Sequence, residues 1–321
     1  LPQSSGGVFV QGGTVGNLSA LVVARAQARK HFPDTTRWVI ACSEQAHSSI
    51  ASAAQVMDVD VLKIAVDGNG KLQGETVAKE IDALHRQSGR RVFAVVATAG
   101  TTNLGIIDDL AGIGAAAKAR EIWFHVDGAY GLAALCAPSV RTLFNGIENA
   151  DSLIVDPHKW LFAPYDACAL IYRTPELARE VHTQHASYLD TLHDGNWNPS
   201  DYAIQLTRRT RGLPFWFSLA AYGTDAYSEA MEQSLEVAKY AAKKVNEHPN
   251  LKLLCEPELS IVAFTRTGWT ASDYQKWSDE LLTEQVGFIP PSSHDGQPIL
   301  RFAIVNPWTK FSDIDLILQR L

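Results

Sequence analysis

The chain reads as an α/β protein, a large domain on a mostly parallel sheet followed by a small C-terminal α+β domain. Three features of the sequence predict this. Short apolar runs of strand type alternate with longer stretches of helical composition between Trp38 and Tyr172. A glycine-rich turn, Gly12-Gly13-Thr14-Val15-Gly16-Asn17, precedes the first helical stretch, where backbone N–H groups can hold an anion. After a broadly helical segment, Leu213 to Glu247, the pattern changes to two strands around one helix. The expected division gives domains 1–225 and 226–321.

Behind the turn, Leu18 to Ala26 combines small and apolar residues, the content of a buried helix. Strands are predicted at Trp38 to Cys42, Val61 to Val66, Val92 to Thr98, Ile122 to Asp127, Ser152 to Val155 and Ala167 to Tyr172. Helices fall between them, at His47 to Met57, Glu75 to Gln87, Asp109 to Arg120 and Tyr130 to Leu135. Asp67-Gly68-Asn69-Gly70 is the clearest turn. The segment from His182 to Ser200 is polar and aromatic without a period, and reads as a long functional loop. In the small domain, strands are expected at Ser260 to Thr265 and Ile299 to Ile304, with a helix from Ser272 to Gln285.

Composition narrows the function classes. With 321 residues, 46% hydrophobic and 20% charged, the chain has the profile of a soluble globular protein with a sizeable core. Its formal net charge of -7 excludes a general nucleic-acid binder, and the one dense basic cluster, Arg208-Arg209-Thr210-Arg211, reads as an ion-pairing face. No apolar run approaches the ~20 residues of a membrane span and no signal-peptide order opens the chain, so no membrane partner and a cytoplasmic location are expected. Cys42, Cys136, Cys168 and Cys255 are far apart and read as reduced core residues. His182, His185, His193 and Asp194 share one loop, but their spacing fits no standard metal arrangement, and no metal is expected. Phe215-Trp216-Phe217 reads as core or interface.

Ligands of open α/β sheets bind at the carboxyl ends of the strands. The polar residues predicted there are His47, Thr101, Thr102, Asp127, Asp156, His158 and Lys159. In "DSLIVDPHKWLF", Lys159 stands between a buried strand and Trp160-Leu161-Phe162. From this segment alone a packed stem with its head in water is favoured over a partly desolvated amine suited to Schiff-base chemistry. The full set suits a phosphorylated pyridine aldehyde, pyridoxal phosphate. Lys159 would bond the aldehyde, Asp127 would pair with the ring nitrogen, His47 would stack, and the turn would take the phosphate. Each piece has an ordinary alternative, Asp127 and His47 as caps among them.

"GGTVGNLSALVVAR", "SEQAHSSI", "ATAGTTNLGIIDDL", "WFHVDGAYG", "NGIENADSLIVDPHKWL" and "RRTRGLPFWFSLAAYG" resemble, in order and spacing, the pyridoxal-phosphate-dependent group II amino acid decarboxylases, nearest the aromatic-L-amino-acid branch. The resemblance implies an aspartate-aminotransferase-like fold (fold type I), a homodimer with sites at the subunit interface, and α-decarboxylation of a small amino acid, an aromatic one favoured. It implies Lys159 as the Schiff-base lysine, Asp127 as the acid on the ring nitrogen, Ala129 under the ring and His47 stacked on it. Thr102 matches a threonine near the cofactor, and Thr14, Val15, Gly16 and His158 match the phosphate side. Tyr188 matches a tyrosine thought to return the proton after carbon dioxide leaves.

Two positions depart from the pattern. Gly16 stands where many members have serine, and Asp156 where others have asparagine. A carboxylate beside a phosphate is repulsive, so Asp156 must point elsewhere, be protonated or serve another role. The chain begins Leu1-Pro2-Gln3 and reaches the glycine-rich turn within a dozen residues, so the family's long N-terminal segment is expected to be missing in front. The alternatives are an aminotransferase or other carbon-carbon lyase on the same fold, with Arg301 as a bidentate carboxylate clamp, or a truncated or inactive cofactor-binding homologue.

Overall fold

The computed structural model describes residues 1–184 and 197–321. Strands β1 (Gly6–Val10), β2 (Trp38–Ser43), β3 (Asp60–Ile64), β4 (Arg91–Thr98), β5 (Trp123–Asp127), β6 (Ser152–Val155) and β7 (Cys168–Tyr172) form one sheet in the order β1-β7-β6-β5-β4-β2-β3. The neighbours from β6 to β3 pair in parallel, while β7 runs antiparallel to both β6 and β1. The mostly parallel sheet is thus as expected. β1 was not anticipated, because "GGVFV" spends two of its five positions on glycine.

Helices α1 (Gly13–His31) and α2 (Ser48–Met57) cover one face, and α3 (Gly74–Ser88) and α4 (Leu110–Lys118) the other. Alternation within the central strands divides the two cores. Ile40, Cys42, Ala94 and Val96 pack with α1 and α2, whereas Val39, Ala41, Val95 and Ala97 pack with α3 and α4. Local chemistry sets the helix ends. The Asp109 side chain accepts from Gly112 N at 2.9 Å to start α4, and Gly89 ends α3 in the left-handed region at φ 64°. Residues Gly131–Cys136, expected as α-helix, form a tighter 3₁₀ segment. The one-turn helix α5 (Pro157–Trp160) and the helix α6 (Pro175–His182) flank β7.

Helix α7 (Gly212–Glu247) is broken at Gly223 (φ 76°, ψ 166°) and joins the two cores. Its Tyr227, Met231 and Leu235 pack into the large core, and from Val237 onward its buried residues pack into the second. The second core also holds a four-stranded antiparallel sheet in the order β10-β11-β9-β8, from β8 (Leu251–Leu253), β9 (Ile261–Arg266), β10 (Ser292–His294) and β11 (Gln297–Ala303). Helices α8 (Ala271–Thr283) and α9 (Phe311–Leu318) cover it. A capping box starts α8, with the Asp273 carboxylate accepting from Thr270 N at 2.7 Å.

Register levels the sheet edge. Thr98 is opposite Asp127, and Asp127 is opposite Ile154, so β4, β5 and β6 end at one height. Among the described residues, no helix is long and apolar enough to cross a membrane.

Of the proposed loop cluster, His182 closes α6, buried, with Nε2 donating to the Ser19 carbonyl at 3.2 Å; His185, His193 and Asp194 lie outside the described residues. Burial pushes the His182 imidazole down to about 4. The unfolded chain therefore binds more protons between that value and the ordinary 6.5, and stability from neutral His182 is lost as pH falls through this window. His182→Gln should remove that slope, worth on the order of 3 kcal/mol across the window. Urea unfolding of both proteins at a series of pH values checks it.

Candidate active site

At the levelled edge the strands surround a cavity of about 250 Å³. Its wall includes Thr14, His47, Thr102, Asp127, Ala129, Asp156, His158 and Lys159. Eight positions picked from sequence are therefore brought together. Val15 and Gly16 are not on the wall: Val15 packs beside the β1–β7 core, and Gly16 is buried one turn into α1. Tyr188 lies outside the described residues.

Asp127 closes β5 with only 5% of its surface exposed. Its Oδ2 accepts from Asn17 Nδ2 at 2.8 Å and its Oδ1 from Ala129 N at 3.1 Å. His47 caps α2, its Nδ1 accepting from Ser49 N at 3.1 Å, and its ring also faces the cavity. Cap and site residue are here the same side chain.

Lys159 sits on α5 with 39% of its side chain exposed, and its Nζ lies 3.0 Å from Asp156 Oδ2. Of the two readings of this segment, the amine is not desolvated by its apolar neighbours: Trp160 is fully buried in the core, and a carboxylate faces the amine. The same contact answers the question of Asp156, whose carboxylate is directed at Lys159, with His158 Nε2 3.7 Å away. His158 Nδ1 accepts from Ala167 N at 3.0 Å, which holds the ring beside the turn.

The turn places Gly12, Gly13 and Thr14 on the wall. No side chain caps α1 and its first turn holds no acid, so the positive end of a 19-residue helix meets the cavity. Opposite, the small domain grips the loop between β4 and α4. Glu258 accepts from Ile107 N at 2.8 Å and pairs with Lys71 Nζ at 3.0 Å, and Tyr130 Oη is 2.6 Å from Ser260 Oγ. Arg301 donates to the Thr102 carbonyl, so this guanidinium serves as a clamp on the loop. Tyr130 stacks on Trp160 at 5.1 Å and forms one wall.

Sequence reasoning did not find Asn17, Ser49, Thr98 and Tyr130, all on the wall. For Asn17 a signal existed: it is the one amide in the apolar opening of α1.

A family profile described as the pyridoxal-dependent decarboxylase conserved domain matches residues 1–267. The chain belongs to this family. It is 28% identical over 333 residues to the aromatic-L-amino-acid decarboxylase of Bacillus atrophaeus, covering 100% of this chain and 69% of that protein. It is 32% identical over 273 residues to human acidic amino acid decarboxylase GADL1, covering 80% of this chain but only 52% of the relative. The crystal structure of mouse CSAD superposes with a TM-score of 0.87 at 26% identity, covering 98% of this chain and 71% of that one.

The pyridoxal-dependent decarboxylase site fits the family's cofactor on its own chemistry. An uncapped helix terminus suits the phosphate, an amine suits the aldehyde, and a buried carboxylate suits a protonated ring nitrogen. Thr98 Oγ1, on the wall, is buried without a hydrogen-bond partner among the described residues.

Gly16 sets how closely α1 approaches the sheet. A Cβ there would lie 2.8 Å from Ile154 Cγ2 and 3.0 Å from Cys168 Sγ. Gly16→Val should lower stability by roughly 1–3 kcal/mol through overpacking, visible as a lower urea midpoint with unchanged slope.

Proposed function

We propose that this chain catalyses the α-decarboxylation of an L-amino acid to the amine and carbon dioxide, with an aromatic amino acid favoured. The observation that carries the reading is the convergence of Lys159, Asp127, His47 and the α1 N-terminus on one cavity. Lys159 Nζ would hold pyridoxal phosphate covalently. Thr14, the backbone at Val15 and Gly16, and His158 would serve its phosphate, His47 and Ala129 would flank its ring, Asp127 would take its ring nitrogen, and Thr102 would stand beside it.

When bound, the cofactor supplies an electron sink for the carbanion left at the substrate α-carbon. Asp127, accepting from Asn17 and Ala129, is held as a rigid acceptor for a proton on a facing nitrogen. Asp156, 3.0 Å from Lys159 Nζ, would hold that side chain at the cavity. Tyr130, backed by the buried Trp160, would exclude water from one side. The aminotransferase reading is the less favoured, since its carboxylate clamp, Arg301, is not on the cavity wall.

The aromatic preference draws support from the Bacillus relative, matched along the whole chain. The acidic decarboxylase relative is more identical over a shorter stretch and makes acidic amino acids the competing substrates. A homodimer is supported by an apolar groove of about 1010 Å³ lined by Phe9, Leu170, Trp197, Leu213, Phe215 and Trp216. Phe215 packs inward, whereas Trp216 and Phe217 are more than half exposed. A reducing, cytoplasmic setting accords with four unpaired cysteines.

Borohydride reduction after addition of pyridoxal phosphate should label Lys159, and Lys159→Ala should lose the label, as read by mass spectrometry. A panel of aromatic and acidic amino acids should then yield amine and carbon dioxide, fastest with an aromatic member; a keto acid product would overturn decarboxylation, and an unlabelled chain the cofactor assignment. Trp216→Glu should shift a sedimentation profile from dimer toward monomer, because a buried unpaired charge is strongly unfavourable at an interface core.

A further inference from the structure

Behind Asp127 lies a run of buried polar groups that no role above uses. The indole nitrogen of Trp123 can only donate, so Ser152 Oγ accepts from it at 2.8 Å. Ser152 Oγ also lies 2.8 Å from His125 Nδ1, to which it can give its own proton. With Nδ1 accepting, neutral His125 carries its proton on Nε2 and donates to Asn17 Oδ1 at 2.8 Å. The amide is thereby oriented. Its Nδ2 donates to Asp127 Oδ2 at 2.8 Å and to Ser49 Oγ at 3.0 Å. Ser49 Oγ lies 2.9 Å from His47 Nδ1, which already accepts from Ser49 N. That nitrogen offers a single lone pair, so the Ser49 N–H by itself already makes Nδ1 of His47 the acceptor.

The polarity of the chain is fixed at its carboxylate end, by a group that only accepts. Turning the Asn17 amide over would set two acceptor oxygens 2.8 Å apart at Asp127. His125 is fully buried, and that burial pushes its imidazole down to about 4, against the opposing pull of Asp127, so the neutral form required here is the one present at neutral pH.

We propose that Asn17 is a positioning residue that sets the carboxylate orientation of Asp127, and that His125, backed by Ser152, holds its amide in a single orientation. It acts through the one group assigned to the cofactor ring nitrogen. A single proton arrangement then runs from the sheet interior to Asp127. The inference rests on the assignment of Asp127 to the cofactor made above.

The test starts with the cofactor-free wild-type chain carrying ¹⁵N-histidine. Long-range ¹H–¹⁵N correlation at neutral pH should find His125 neutral with the proton on Nε2, and a proton on Nδ1 of His125 overturns the proposal. Asn17→Ala should weaken pyridoxal phosphate binding roughly 10- to 100-fold in a fluorescence titration, the loss expected for a hydrogen bond to a charged group. It should also mix the His125 tautomers, because Nε2 loses its acceptor. Unchanged affinity with an unchanged His125 pattern overturns the proposal. If Asn17→Ala does not fold, Ser152→Ala decides: it should mix the His125 tautomers, and an unaltered His125 pattern overturns the proposal. A labelled Lys159 together with a reversed His125 sinks this inference alone, whereas an unlabelled Lys159 sinks the reading beneath it.

Discussion

A carboxylate withdrawn from water must be solvated by the protein, and the arrangement of this site follows from how Asp127 meets that requirement. Its oxygens accept from the Asn17 amide and the Ala129 backbone, so α1 and the segment after β5 are both tied to one side chain. Asn17 can reach it only because Gly16 lets α1 lie close against β6 and β7. The same close approach brings the positive end of the helix to the cavity. Helix packing and charge solvation are therefore one constraint, and the anion end of the site inherits its position from it.

A second dependence crosses between the two domains. The segment carrying Thr102 is held from the small domain by Glu258, Arg301 and Ser293, the last accepting from Asn103 at 3.0 Å. Gly105 abuts Ile261, with a built Cβ only 3.1 Å from its Cβ. Tyr130 adds a buried hydroxyl paired to Ser260, and burial raises its phenol above the ordinary range. Disturbing the small domain therefore disturbs one wall of the cavity, although the large domain supplies most of that wall's side chains.

Much of this was legible in the residues because parallel strands write themselves as apolar runs and put their polar residues at one end. His47, Asp127 and Lys159 each follow such a run, and all three reach the cavity. What escaped did so for physical reasons. β1 carries two glycines, and β8 and β10 are three residues long, too short for a period to show. His125 sits inside an apolar strand and Asn17 inside an apolar helix, where a lone polar residue reads as an exception until its partner across the sheet is known. The Asp156 carboxylate could not be assigned from sequence, since its partner Lys159 is adjacent only after α5 makes its single turn.

The break in α7 concerns handedness. Gly223 combines φ 76° with ψ 166°, close to the mirror image of extended backbone, and a Cβ built there would have nothing within 4 Å. The space is open, and what excludes other residues is chirality alone. A D-amino acid would occupy this position without steric cost, whereas an L-residue of any size would be strained. The direction in which the helix resumes toward the second core thus depends on an achiral residue at the break.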